Sequence, residues 1–475
     1  MALALKRSNR EVVIVERDPE PPEIAPDAAF ESWSRPGVPQ LRHAHILLAR
    51  VQKLIRDQHP ELFAELRQAG LELSSVTDVL PTPHVTGFQP RPGDEDLVHF
   101  YGRRPTFEYV LRKHVGRLAN VRFLHSARAS GFLTESNGST LRVRGIELAP
   151  GSGRDAIEAD IVIDASGKRT KSPEWLEAAG VRVAIDHRPS GFVYACRHYR
   201  FTRPLAPASR HVEGNLDFLG YATFWAEHGN YALTLGCPVE DEDLADAMRR
   251  PEGFEALCDQ LSPLRPWRSQ SEATSKVLGA GLFENRWIDY GLRGGRELLG
   301  FFAVGDSYIE TNPMYGRGCS TAFVQAHVLA DALDRTDDPR ERLRLYHERT
   351  RALLYHYFDF SATTDRLYRI RARLSQGERV PLRDRIFSYL YEVAFQRASH
   401  ESLLVAREFV KAREMLEVSS PKLRLQMALH LLRALLKSWF SWASAPLRAL
   451  APTRGELLRN VPPRAESYPP LPPPG

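Results

Sequence analysis

The residues best suited to chemistry sit together between Gly305 and Gly318. Gly305-Asp306 is followed by Asn312-Pro313, Gly316 and Gly318. A carboxylate at a strand end accepts hydrogen bonds from sugar-type hydroxyls. Glycines, having no Cβ, let the backbone approach a ligand closely. A helix start aims free N–H groups and a partial positive charge at an anion or an electron-rich ring edge. Pro313 fixes φ and stiffens the loop between them. Residues of these types in this order have the architecture of a ligand cradle; the plain alternative is a strand–loop–helix with incidental glycines.

The elements that position the cradle are readable on either side. Leu298 to Val304 reads LLGFFAV, an apolar run with the length and composition of a buried strand. A helix is expected from about Ser320, with Ala322, Ala326, Leu329, Ala330 and Leu333 on one face. Strand, glycine-punctuated loop and helix therefore follow one another directly.

The string GD-x6-P-x2-G-x-G-x3-A resembles the second flavin-binding motif of FAD-dependent monooxygenases of the aromatic-hydroxylase type. It is also similar to the motif in the wider superfamily, which includes squalene-epoxidase-like enzymes, flavin halogenases and geranylgeranyl-type reductases. The resemblance implies an α/β fold: an FAD-binding, doubly wound (Rossmann-like) domain, an inserted β-rich substrate domain and a C-terminal helical extension. It implies that Asp306, following Gly305, holds the ribityl chain of FAD. The loop from Pro313 through Gly316 to Gly318 would then lie along the isoalloxazine ring.

Near the start, MALALK is an apolar, helix-favouring segment, and Glu11 to Val15 is a short β-branched run ending in Glu16-Arg17-Asp18. Helix, turn and a strand closed by an acid form the second half of a dinucleotide-binding βαβ unit. In such a unit Glu16 takes the ribose hydroxyls and Arg17 reaches a phosphate or ribose oxygen. The glycine fingerprint belongs about 20 residues upstream of the acid, which falls before Met1. The expectation is therefore an N-terminally truncated member of the superfamily that, as written, binds FAD weakly or not at all and is poorly stable.

Three further residues come from the resemblance. The segment from Arg35 to His45 resembles a G-V-P-Q-x-R-H-x-H entry loop, which assigns Arg42 to the flavin or its pyrophosphate. Arg103-Arg104-Pro-Thr-Phe-Glu108 is similar to the family's R-x-x-L-E segment, with Arg104 as the matching arginine. ADIVIDASG, from Ala159 to Gly167, resembles the family's D-G motif and places Asp164 at the cofactor. A strand-ending aspartate also simply caps the following turn, and a surface role for either of Arg103 and Arg104 stays open.

The chain divides into 1–180, the first part of the FAD domain; 181–285, the β-rich substrate domain; 286–335, the second part of the FAD domain; 336–450, a helical extension; and 451–475, a Pro-rich tail expected to be disordered. Tyr194, Phe218, Tyr221, Phe224 and Trp225 are candidate pocket linings, or ordinary core. Between 422 and 450 the charged residues are Lys422, Arg424, Arg433, Lys437 and Arg448, without an acid, among leucines and aromatics. A basic amphipathic helix of this kind either contacts a membrane surface or docks on the body of the protein.

At 475 residues, with 43% hydrophobic and 26% charged, the chain has the composition of a large globular protein. A net charge of +5 is too small for this length to argue for nucleic acid. Four dispersed cysteines form no C-x-x-C pair, which argues against a disulfide framework or a zinc site and for a cytoplasmic setting. No nucleophile–base triad is apparent, and no catalytic side chain is singled out. The resemblance implies an oxidoreductase in which NAD(P)H reduces the flavin and O2 is used to hydroxylate or epoxidise a lipophilic or aromatic small molecule. A prenyl-type reductase, or a flavin-free binding or scaffold protein, are the alternatives. The W-x-W-x-I-P segment usual in halogenases is absent from the sequence.

Overall fold

The computed structural model describes residues 1–6, 9–203, 210–281, 283–290, 296–392, 397–416, 421–440 and 452–463. Two of the parallel strand pairs end in the acidic candidates. The β-branched run Val12–Val15 pairs with Val121–Leu124, and Phe301–Ala303 pairs with Val162–Asp164. Glu16, Asp164 and Asp306 therefore all lie at the carboxyl ends of parallel strands, the side on which open α/β sheets bind ligands. Among the described residues no strand joins the two pairs.

Instead of the expected helix, Ala2–Leu5 forms one turn of 3-10 helix. Leu5 belongs to the core around Phe301, Phe302 and Ala303. Ala2 and Leu3 belong to the core around Val51 and Phe107, against which Val12 and Ile14 pack. The short apolar turn thus bridges the cores beneath the two strand pairs.

The run Leu298 to Val304 is not one strand. Glu297–Leu299 pairs with the long strand Thr140–Leu148, and after Gly300 the chain switches to Val162–Asp164. Gly300 makes the switch possible. It sits at φ 72°, and a Cβ there would lie 2.3 Å from the Val143 carbonyl oxygen.

The β-rich middle is a six-stranded antiparallel sheet with Phe192–Phe201 at its centre, paired to Asn230–Pro238, Ser271–Ala273 and Leu278–Gly281. Gly220–Trp225 and Glu213–Asn215 complete it. Alternation along Phe192–Phe201 divides its faces. Val193, Ala195, Tyr199 and Phe201 pack in a core with the helices Glu242–Arg249 and Pro251–Gln260. Phe192 and Tyr194 face a cavity. A three-stranded sheet of Ala184–Pro189, Glu284–Asp289 and Ile309–Glu310 joins this region to the glycine-rich loop.

Gly318–Arg335 is the expected helix. Pro339–Ser375 follows as a helix of 37 residues, about 55 Å long. It is part of the main core rather than an appendage: Tyr346, Leu354 and Phe358 are buried among Trp287, Phe302, Val304 and Tyr308. The stretch expected as a disordered tail contains a helix, Arg454–Arg459. Thr453 and Glu456 form a capping box, Leu457 is fully buried, and Arg454 pairs with Asp241 and Asp243. Local capping and one buried leucine outweigh the proline-rich composition here.

Gly300→Ala is expected to lower stability by about 3 kcal/mol or more, combining positive-φ strain with a backbone overlap. Urea denaturation checks this; a change of less than about 1 kcal/mol would contradict the strand-switch role of Gly300.

Candidate functional site

One cavity of about 1760 Å³ lies between the strand ends, the loop, the antiparallel sheet and the C-terminal helices. It exceeds the roughly 300–1,000 Å³ of an ordinary small-ligand pocket. Seven of the sequence-derived candidates line it: Arg17, Arg104, Gly305, Asp306, Pro313, Gly316 and Gly318. So do Tyr194, Phe218, Tyr221 and Phe224. Trp225 instead packs on Phe201 and Trp267 and donates from Nε1 to Glu72.

Asp306 sits in the short turn Gly305–Ser307 at the end of Phe301–Ala303. The turn is fixed from behind. Gly305 N–H donates to the buried Gln325 side chain at 2.6 Å. The Ser307 hydroxyl donates to the Asp164 carbonyl at 2.7 Å, and Tyr290 donates to the Ser307 carbonyl. Among the described residues no protein donor bonds the Asp306 carboxylate. Burial raises its pKa, while Arg104, Lys168 and Arg286 act in the opposite direction. It is a carboxylate at the cavity wall with its acceptor capacity free.

The loop beyond it is held by a buried aspartate that the sequence pattern did not reveal. Asp365, on the long helix, accepts from Asn285 Nδ2 at 2.7 Å, Asn312 Nδ2 at 2.7 Å and Tyr315 Oη at 2.6 Å. Asn312 N–H donates to Asn285 Oδ1 at 3.0 Å. Burial pushes the Asp365 carboxyl up to about 6 despite these bonds. Arg317, 2% exposed, donates to the Tyr357 carbonyl and the Ser361 hydroxyl and stacks over Tyr315 and Phe360. The Pro313–Tyr315 turn and Gly316, at φ 67°, are thereby fixed. A Cβ on Gly316 would come 2.5 Å from Ile46 Cγ2, so the glycine also permits close packing against the opposite wall. No sequence signal marks Asp365, because it lies some fifty residues beyond the loop on an otherwise ordinary helix.

Three candidates lie outside the cavity lining. Arg42 points away: its guanidinium donates to the carbonyls of Phe30, Glu31 and Trp33. Asp164 accepts from Ser166 N–H and from the hydroxyls of Thr170 and Ser172. It shapes the turn whose residues Ser166 to Arg169 do line the cavity, which is the capping role left open above. Glu16 is held in an ion-pair cluster, 2.5 Å from Arg35 and 2.8 Å from Arg112. Burial alone would raise its pKa, but Arg35 and Arg112 hold it below the usual range. Arg35 also bonds Asp18 and Glu108.

Arg104 is kept at the wall by Glu108 and by His45, whose Nε2 lies 3.0 Å from the guanidinium. Since Arg104 can only donate, His45 accepts at Nε2 and carries its proton on Nδ1, which donates to the His43 carbonyl. Burial, aided by Arg104, lowers its pKa to about 3, keeping it neutral. Glu310, beside Asp306 and 3.3 Å from Arg286, also lines the cavity. Burial drives its pKa to about 7, against the pull of Arg286.

The residues present suit the flavin part of FAD. An unpartnered carboxylate can accept from ribityl hydroxyls, glycines admit a flat ring, and the N-terminal turn of an 18-residue helix begins at Gly318. No protein-family model matches the chain. Its sequence is 29% identical over 349 residues to Protein Rv3254 of Mycobacterium tuberculosis, covering 68% of each chain. The flavin-dependent brominase Bmp2 superposes with a TM-score of 0.59 at 13% identity, over 92% of this chain and 95% of that one. The p-nitrophenol 4-monooxygenase PnpA from Pseudomonas putida DLL-E4 gives 0.59 at 16% identity, over 88% and 95%. The chain therefore has the α/β fold of FAD-dependent monooxygenases and halogenases.

The raised pKa of Glu310 gives a signed prediction. Between 4.5 and about 7 the unfolded chain has released a proton that the folded protein retains, so wild type loses stability as pH rises through this window. Glu310→Gln removes that loss. The variant should gain about 3 kcal/mol relative to wild type on going from below to above the window. Urea denaturation across pH would contradict this if the two profiles ran parallel.

Proposed function

We propose that the chain is an FAD-dependent oxidoreductase, a monooxygenase that uses NAD(P)H and O2 to hydroxylate or epoxidise a lipophilic or aromatic small molecule. The observation that carries the reading is the free Asp306 carboxylate, set at a parallel strand end and flanked by the cradle of Gly305, Gly316 and Gly318 on the wall of a large cavity. Bound FAD would supply the redox chemistry, taking electrons from NAD(P)H and passing them to O2.

The chain's own residues bind, orient and shield. Asp306 would receive the ribityl hydroxyls, and the Pro313–Gly318 loop, braced by Asp365 and Arg317, would support the ring. Arg17 and Arg104 offer positive charge at the wall, with neutral His45 fixing the direction of Arg104. Tyr194, Phe218, Tyr221 and Phe224 of the antiparallel sheet supply an apolar surface that suits an aromatic or lipophilic substrate and excludes water from it. Glu310, with its carboxyl near neutrality, is placed to exchange a proton with groups in the cavity.

Flavin fluorescence titration of the 475-residue protein tests the reading. Asp306→Ala removes the charged acceptor and should weaken binding by at least about tenfold, the scale of hydrogen bonds to a charged group. Arg42→Ala, away from the cavity, should leave it within about twofold. Equal affinities of wild type and Asp306→Ala would overturn the assignment. With a flavin-loaded sample, NAD(P)H oxidation coupled to an oxygenated product distinguishes a monooxygenase from a reductase.

A further inference from the structure

The helix Pro421–Phe440 has two apolar faces. Inward, Ala434 is buried, and Leu431 and Leu435 pack with Ala398 and Val405. Met427 and Leu431 also line the large cavity. Outward, Leu425, Leu429, Leu432 and Leu436 are each at least half exposed, at 65%, 50%, 52% and 53%. Their spacing, i, i+4, i+7 and i+11, places them in one stripe. Four exposed leucines in a row are a patch, not scattered surface residues.

The charges of the helix identify what suits that patch. Its charged residues are Lys422, Arg424, Arg433 and Lys437, without an aspartate or glutamate. Arg433 is exposed. Lys437 donates to Glu401 at 3.0 Å yet keeps 68% of its side chain in solvent. A docking protein surface would be complemented by mixed charge, whereas an anionic leaflet complements leucines accompanied only by cations. Among the described residues no helix is long and apolar enough to cross a membrane, so contact would be made by lying in the interface. A helix of 20 residues offers about 30 Å for that. The helix Leu382–Tyr391 also exposes Leu382, Ile386, Tyr389 and Leu390, but Asp384 lies between its Arg383 and Arg385, so the purely cationic pattern belongs to Pro421–Phe440.

We propose that the outer face of Pro421–Phe440 docks the protein on an anionic lipid surface. The helix that meets the lipid is also a wall of the cavity, so docking brings the cavity against the bilayer. The inference is independent of the flavin assignment, because vesicle binding needs no cofactor.

Sedimentation of the full chain with phosphatidylcholine vesicles, with and without one-third phosphatidylserine, tests the proposal. Wild type should bind the anionic vesicles at least about tenfold more tightly than the neutral ones, and salt should release it. Arg433→Gln with Lys437→Gln should weaken anionic binding by about thirtyfold, near fivefold per charge. Leu429→Gln with Leu432→Gln should abolish it; these side chains are exposed and glutamine keeps helix propensity, and circular dichroism confirms folding. Three results would overturn the proposal: no binding by wild type, equal binding to both vesicle types, or lipid-free self-association removed by the leucine substitutions. The last would identify a second copy of the chain as the occupant.

Discussion

The site depends on one buried carboxylate. Asp365 gathers Asn285, Asn312 and Tyr315 into a single network, and so ties its own helix to one strand and one turn. Asn285 belongs to the sheet that joins the β-rich region to the loop. Asn312 caps the turn at Pro313, and Tyr315 lies at the end of that turn. Removing a charge from water is unfavourable, and the upward-shifted carboxyl records that penalty. Three donors offset it in part. In return, a glycine-rich loop that would sample many conformations is held in one.

From that fixed loop the rest follows spatially. Gly318 starts a long helix whose buried Gln325 reaches back to Gly305. Gly305 sets the turn that presents Asp306. Ser307 then links this turn to the neighbouring parallel strand through the Asp164 carbonyl. The long helix from Pro339 is accordingly a structural member of the site, holding the loop from behind through Asp365, Tyr357 and Ser361. Arg104 is held by Glu108 and His45, and Arg286 by Glu310 and the Lys168 carbonyl, so among the described residues no protein donor bonds the Asp306 carboxylate.

What the sequence made legible was what local patterning encodes. The strand–loop–helix around Gly305–Gly318 could be read because glycine, proline and apolar spacing act within a few residues. Long-range choices were not readable. Arg42 sits beside a cavity-lining segment, yet its donors turn to three carbonyls. Asp164 ends a strand as expected but serves the turn after it. Glu16 ends its strand and pairs with Arg35 and Arg112, and nothing in the spacing announces those partners. Gly300 divides a run that hydrophobicity alone renders continuous, and Asp365 is invisible because its partners are remote in sequence.

If residues 305–318 cradle a flavin, their backbone amides become protected when FAD binds. Hydrogen–deuterium exchange of the protein with and without saturating FAD tests it most directly, because it reads the backbone of that segment. Added protection is expected across Gly305–Ser307 and Pro313–Gly318, with little change at Arg42 and its carbonyl partners. Unchanged exchange across 305–318 under conditions where FAD binds would contradict it.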